Sequence, residues 1–169
     1  MELAALSVEE ISSLHVCDEF SCGNNLLDRW LEKYALLANK TQSAKVYVLT
    51  NKSKKVFGYY ALSMGSVDYK KGTSRVQKGL GRHPIPVVLI SRLAVDGSLQ
   101  GRGIGAHLLR EAVLKSLLAA EKVGAVAIVV HPIDGLARRF YGRYGFEQSP
   151  IDADVMMVRI KDIKQELKI

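Results

Sequence analysis

Val87-Val88-Leu89-Ile90-Ser91-Arg92-Leu93-Ala94-Val95, then Gln100-Gly101-Arg102-Gly103-Ile104-Gly105, is the stretch that decides how this chain is read. The apolar run predicts a strand over 87–95. The glycines release the backbone into a turn. Residues from about Ile104 to Lys122 then predict a helix, with Leu108, Ala112 and Val113 on one stripe and Gly124 as its stop. Three alternate glycines ahead of a helix let the backbone approach a ligand closely, and the first helical N–H groups face an anion. The chemistry this implies is a phosphate cradle, and so a phosphorylated cofactor. A glycine-rich turn with no ligand would carry the entropic cost of those glycines without a reason for it.

Gly101-x-Gly103-x-x-Ala106 also satisfies the loose dinucleotide fingerprint. Three features count against that reading. The elements before it look like an antiparallel hairpin rather than a β-α-β start. Asp96 to Leu99 separate the strand from the glycines. The next strand ends in His131-Pro132, with no acid to hold a ribose. No Gly-Lys-Ser/Thr follows, which removes a nucleotide P-loop.

Outward from this centre the elements follow in order. Ser7-Val8-Glu9-Glu10 fits a capping box and predicts a short first helix. Asn24 or Asn25 caps a second helix to about Lys40, with Leu27 and Leu31, and Trp30 and Tyr34, four residues apart. Val46–Leu49 and Val56–Leu62 flank a polar turn and predict a hairpin. Asp68 to Pro86 is long for a structureless connection and carries Lys70, Lys71, Arg75, Lys78 and Arg82. Ala125–Val130 is a continuous apolar run, the mark of a strand covered on both faces. A short helix is predicted over about Asp134 to Tyr144, with Leu136, Phe140 and Tyr144 as its core stripe, and Val155–Arg159 is a last strand. The fold class is α/β, a mixed sheet with helices on its faces, in one domain over residues 1–169.

Composition sets outer bounds. Of 169 residues, 48% are hydrophobic and 24% charged, which is ordinary for a globular chain. No apolar run is long enough for a membrane span, and no secretory leader is visible, which points to the cytoplasm. Cys17 and Cys22 read as reduced, small apolar residues. His15, His83, His107 and His131 have no ligand spacing, so no metal is expected. With 24 basic and 17 acidic residues the net charge is +7, which favours a polyanionic partner (a phosphorylated cofactor, nucleic acid or an acidic protein), although solubility alone would also account for it.

Gln100-x-x-Gly103-x-Gly105 between strand and helix, followed by Phe140-Tyr141-Gly142-Arg143-Tyr144-Gly145-Phe146, resembles the GCN5-related N-acetyltransferases over most of the chain. The resemblance implies acetyl-CoA as co-substrate. Its diphosphate would lie on the backbone of Gln100, Gly101, Arg102, Gly103, Ile104, Gly105 and Ala106. It also implies that the strand carrying Leu93, Ala94 and Val95 splays from its neighbour and that pantetheine runs beside it. Spacing alone leaves two readings of Tyr141, a packed aromatic or an acid. The resemblance favours the acid, donating a proton to the departing thiolate. No Glu, Asp or His stands out as a base. That suits an α-amine, pKa about 8, better than a lysine amine, about 10.4.

A narrower likeness concerns the acceptor. Phe20-x-Cys22-Gly23-Asn24-x-x-Leu27, Gly58-Tyr59-Tyr60-x-Leu62-Ser63 and Arg92-Leu93-Ala94-Val95-Asp96 look like the acetyltransferase toxins of bacterial type II toxin–antitoxin systems. Ser91 departs from that pattern, where many relatives carry Gly. The likeness implies acetylation of the α-amine of aminoacyl-tRNA, arrest of translation, a homodimer and a ribbon-helix-helix antitoxin. Arg92, Lys33, Lys78 and Arg82 are the candidate RNA contacts, with Lys40, Arg138 and Arg139 extending the patch; Arg102 is a second candidate for a cofactor phosphate. Two other readings are carried. One is an enzyme of the same family acting on a protein N-terminus, polyamine or antibiotic. The other is a cofactor-binding module without catalysis.

Overall fold

Ser7–Glu10, the stretch that reads as a capping box, is the first strand, β1. It pairs antiparallel with β2, Lys45–Thr50, from Ser7 opposite Thr50 to Glu10 opposite Tyr47. A Ser-x-x-Glu pattern also fits an alternating strand, and the available partner strand overrides the local helix preference. Glu10, the glutamate of that pattern, does not reach back to Ser7 as a cap: its carboxylate accepts from Lys45 Nζ at 2.7 Å, on the partner strand.

The computed structural model describes residues 2–169. The remaining elements are α1 (Asn25–Lys33), α2 (Ala35–Thr41), β3 (Val56–Val67), α3 (Ser74–Gln77), β4 (Ile85–Val95), α4 (Ile104–Val123), β5 (Ala127–Val130), α5 (Gly135–Arg143), β6 (Glu147–Gln148), β7 (Met156–Arg159) and α6 (Ile160–Leu167). The strands follow the order β1-β2-β3-β4-β5-β7-β6 in a mixed sheet. β2 and β3 form the expected hairpin, β4 and β5 run parallel, and β7 is antiparallel to β5. All four residues of β5 are buried, as a continuous apolar run demands. The connection over 68–86 holds a 3-10 turn, Tyr69–Lys71, and α3. Among the described residues no helix is long and apolar enough to cross a membrane.

Two departures concern helices. The segment up to Lys40 is two helices, broken at Tyr34 (φ −125°, ψ −22°), where no glycine or proline marks a stop. On α5 the four-residue spacing of Leu136, Phe140 and Tyr144 does mark a stripe, but not the one that faces inward. Leu136 is 71% and Tyr144 47% exposed, whereas Tyr141 is 8%. The side chain of Asp134 caps the helix on Ala137 N at 2.8 Å, and Phe146 N donates to Tyr141 O after the turn at Gly145. These two anchors set the rotation of α5, and they turn Tyr141 onto Phe146, ring centroids 5.5 Å apart.

The chain forms two compact units, Met1–Ser63 with Ser91–Ala112 and Met64–Ile90 with Val113–Ile169. The first has a core of Leu31, Val46, Val48, Val56, Tyr59 and Ala61, joined by Phe20 and Ala94. The second packs Val76, Ile85, Val87, Ala127, Val129 and Met157. In the first unit Gly58 is where β3 meets its neighbours most closely. A Cβ there would lie 2.9 Å from Leu108 Cδ1 and 3.3 Å from Ala94 O. Gly58→Val should therefore cost about 2 kcal/mol through overpacking, read as a lower denaturant midpoint at unchanged m-value.

Candidate active site

The glycine turn is braced before it is open. The Asp96 carboxylate accepts from Ser21 N at 2.9 Å, Ser98 N at 3.0 Å and Ser98 Oγ at 2.6 Å. Gln100 Nε2 donates to Val95 O and Cys22 O, both at 2.8 Å. Gly97 N donates to Ser21 O at 2.7 Å. Residues 96–100 are thus clamped to 21–22, and the Gln100 side chain works as a brace. Burial opposes the charge on Asp96, but the hydrogen bonds from Ser98 and Ser21 together hold its carboxyl below the ordinary value.

Beyond the brace the backbone turns outward. Gly101 and Gly103 have φ of +77° and +81°, the left-handed region that favours glycine, and nothing lies within 4 Å of a Cβ at either position. Gly103 O accepts the first helical bond, from His107 N at 3.1 Å, which makes Gly103 the cap of α4. Glycine has no side chain to cap with, and the amides of Ile104, Gly105 and Ala106 have no acceptor within the helix. They form a set of donors at the positive end of a 20-residue helix. A diphosphate fits that donor set in charge and in space.

β4 leads into this loop. Its register with β5 runs from Val87 opposite Ala127 to Ile90 opposite Val130, where β5 ends, while β4 continues to Val95. Leu93, Ala94 and Val95 belong to that continuation. Ser91, at its start, donates from Oγ to Ala61 O at 3.4 Å.

Arg92 stands in an aromatic stack. Its guanidinium carbon lies 4.1 Å from the centre of the Trp30 ring. Trp30 is stacked on Tyr59 at 6.0 Å, and Tyr59 meets Phe20 edge-on at 5.6 Å. The Tyr59 hydroxyl donates to Leu27 O at 2.7 Å, fixing the stack to α1. Burial pushes the Tyr59 phenol far up and the Arg92 guanidinium down, the latter opposed by Tyr59. A stacked arginine keeps its edge N–H groups for an anion, because its face alone is used by the ring. Lys33 is exposed at the end of the same α1, one turn beyond Trp30.

Tyr141 belongs to the second unit, on α5, with its ring between Phe140 (5.2 Å) and Phe146 (5.5 Å). Burial raises its phenol to about 12. Lys78 and Arg82, both exposed, are in this unit, whereas Arg92 and Lys33 are in the first. Arg138 is engaged, donating to Ala153 O at 3.3 Å and Asp154 Oδ1 at 3.2 Å. Sequence reasoning missed the braces at Asp96 and Gln100, the Trp30 and Tyr59 stack, and the Asp134 cap. Asp96 and Tyr59 lie inside quoted motifs, but Ser21, which Asp96 holds, and Trp30, on which Tyr59 stacks, lie far away along the chain.

The acetyltransferase (GNAT) domain model matches residues 42–148, which contain the glycine turn, α4 and Tyr141. The chain is 42% identical over 154 residues to a tRNA-acetylating toxin of Mycobacterium tuberculosis (strain ATCC 25618 / H37Rv), covering 91% of this chain and 92% of that protein. Among solved structures it is similar to AtaT complexed with acetyl-methionyl-tRNAfMet, with a TM-score of 0.89 at 25% identity over 96% of this chain and 99% of that one. It is also similar to AtaTR bound with AcCoA, with a TM-score of 0.85 at 25% identity over 97% and 99%. With the family domain spanning most of the sheet and a near full-length relative of this identity, the chain belongs to the GNAT family of N-acetyltransferases.

Proposed function

We propose that the chain transfers acetyl from acetyl-CoA to the α-amine of aminoacyl-tRNA and thereby stops translation. The observation that carries this reading is the 42% identity, over nearly the whole of both chains, to a tRNA-acetylating toxin. The braced glycine turn supports the co-substrate: backbone donors of Gln100 to Ala106 take the diphosphate, and β4 beyond the end of its pairing with β5, at Leu93, Ala94 and Val95, takes the pantetheine arm. Acetyl-CoA supplies an activated thioester. The reaction forms a carbon–nitrogen bond at the amine, breaks the carbon–sulfur bond and leaves a thiolate that needs a proton.

Tyr141 supplies that proton from its hydroxyl and regains one from the attacking nitrogen through solvent. A phenol at about 12 is a reluctant donor to a thiolate whose thiol titrates near 8.5 in water. Burial disfavours a thiolate as it does a phenolate, so a sulfur leaving beside Tyr141 is a stronger base than in water, which narrows that gap. A positioned acid hands over its proton as the carbon–sulfur bond breaks. Arg92 and Lys33 meet the acceptor's phosphates in the first unit, and Lys78 and Arg82 do so in the second. The excess of seven positive charges supports an RNA acceptor over a cationic amine. The partners in this reading are a second copy of the chain and a ribbon-helix-helix antitoxin, in the cytoplasm where charged tRNA is found.

The test is incubation with labelled acetyl-CoA and a mixture of charged tRNA, uncharged tRNA, a peptide with a free N-terminus, and a polyamine. Label on the aminoacyl group alone is expected. Label on the peptide or polyamine, with none on charged tRNA, would replace this reading by the small-amine or protein N-terminus one. Binding without label anywhere would leave a cofactor-binding module.

A further inference from the structure

A second basic feature lies in the second unit, away from α5. A groove of about 680 Å³ is lined by Lys78, Arg159, Lys161 and Lys164, over a floor that includes Val76 and Ile160. The four cations come from three separate places: the loop after α3, the end of β7 and the first turns of α6. No carboxylate lines the groove. Asp162 and Glu121 border it, pairing with Arg159 and Lys164 respectively, and Arg75 also faces Asp162 at 3.8 Å. Lys78 and Lys161 are in no ion pair among the described residues, so the groove keeps an unbalanced positive charge.

Its position follows from the register. Val126, just before β5, donates to Pro86 O and accepts from Ile160 N, both at 2.9 Å, and Ala127 pairs with Arg159. The groove therefore lies at the N-terminal end of β5. The other end of β5 leads through residues 131–134 into α5 and Tyr141. Strand β5 separates the two by about 13 Å of extended backbone. A phosphate held in the groove thus lies away from the amine and thioester that would react at Tyr141.

We propose that this groove is a second phosphate-binding surface for RNA, holding a stretch of the acceptor's sugar–phosphate backbone away from its reacting end. This rests on the reading of the chain as a tRNA-acetylating enzyme, and it adds Arg159, Lys161 and Lys164 to that reading. The features are those of backbone recognition: cations on a concave surface, room for more than one phosphate, and no base-reading motif. Cations that neutralise phosphates release counterions, so each contact appears in the salt dependence of binding.

The experiment measures binding of unmodified tRNA by fluorescence anisotropy across a salt series, for the wild type, Lys161→Gln/Lys164→Gln and Lys52→Gln. The double variant should bind about tenfold more weakly at low salt, and its log K against log salt slope should be shallower by about 1.5, the loss of two phosphate contacts. Lys52→Gln, in the β2–β3 turn, should leave the slope unchanged. Equal slopes for wild type and double variant, with wild type still labelling charged tRNA, would overturn the groove and leave the proposed function standing. No label on charged tRNA from the wild type, with RNA binding still lowered in the double variant, would overturn the function and keep the groove. A change of oligomeric mass in the double variant by sedimentation would make the groove a contact between copies and overturn the proposal. Circular dichroism and acetyl-CoA binding confirm that the variant is folded.

Discussion

Tyr141→Phe is expected to lower kcat by about 10²- to 10⁴-fold, the range for loss of a positioned general acid, while KM for acetyl-CoA stays within about twofold. The substitution removes one oxygen and keeps the ring between Phe140 and Phe146, so the fold should hold. The pH profile tests the same assignment from the other side. Burial raises the phenol to about 12, so the acid stays protonated well past the point where an exposed tyrosine, near 10, would have ionised. Activity should therefore rise with the ionisation of the attacking α-amine near pH 8 and show no decline from the acid until above pH 11. Stability has the opposite dependence. The folded state holds the Tyr141 proton more tightly than the unfolded chain, so this contribution is fully present below about pH 10 and is lost as pH climbs towards 12. Tyr59 and Tyr60, raised by burial too, act in the same direction, and Tyr141→Phe removes only its own share. A rate on saturating charged tRNA unchanged by Tyr141→Phe would remove the acid role.

The hairpin, the glycine turn, α4 and β5 were legible in the sequence because each is announced by a local signal: alternation, a glycine where φ turns positive, a continuous apolar run. Tertiary competition hid the rest. Ser7–Glu10 carries a helix-start pattern, yet an open edge of β2 was there to pair with it. The α5 stripe was seen but turned the wrong way, because periodicity gives the spacing of a face and not which face is inward. That error had a consequence for the site, since the buried residue is the one proposed as the acid. Arg92 is the favoured RNA contact in the sequence because it lies nearest the expected acetyl group. Its lodging on Trp30, 62 positions earlier, depends on how β4 and α1 meet, which no local pattern records. The same holds for the braces of the loop. Gln100 was read as part of a backbone motif, and only the fold shows its side chain reaching Cys22, 78 positions back along the chain.

Asp96→Ala should be the most damaging single change to the cofactor loop. It deletes the acceptor for Ser21 N, Ser98 N and Ser98 Oγ, three bonds of 2.6–3.0 Å to a charged oxygen. Bonds to a charged group contribute roughly 1.5–3 kcal/mol each before solvent takes their place, and Asp96 is half-buried, so a net cost of about 3 kcal/mol is expected. For a chain of this length that is a fall in Tm of about 6–12 °C. With one of its three ties to residues 21–22 and both bonds to Ser98 gone, the turn at Gly101 and Gly103 samples more conformations, and the amide donors are less ordered before binding. Acetyl-CoA affinity should drop at least about tenfold, which corresponds to about 1.4 kcal/mol. Asp96→Asn should lie between: its carbonyl can still accept from Ser21 N, but its NH2 opposes the donors of Ser98. The carboxyl titrates below its ordinary value in the folded state, so the wild type's advantage over Asp96→Asn is fully present above about pH 4 and is lost as pH falls through the depressed folded value. Calorimetric titration with acetyl-CoA and thermal scans from pH 7 down to 3 would read both effects. At saturating acetyl-CoA the Asp96 variants should recover most of their kcat, whereas Tyr141→Phe should recover none. That opposite pattern separates a residue that shapes the cradle from one that moves the proton.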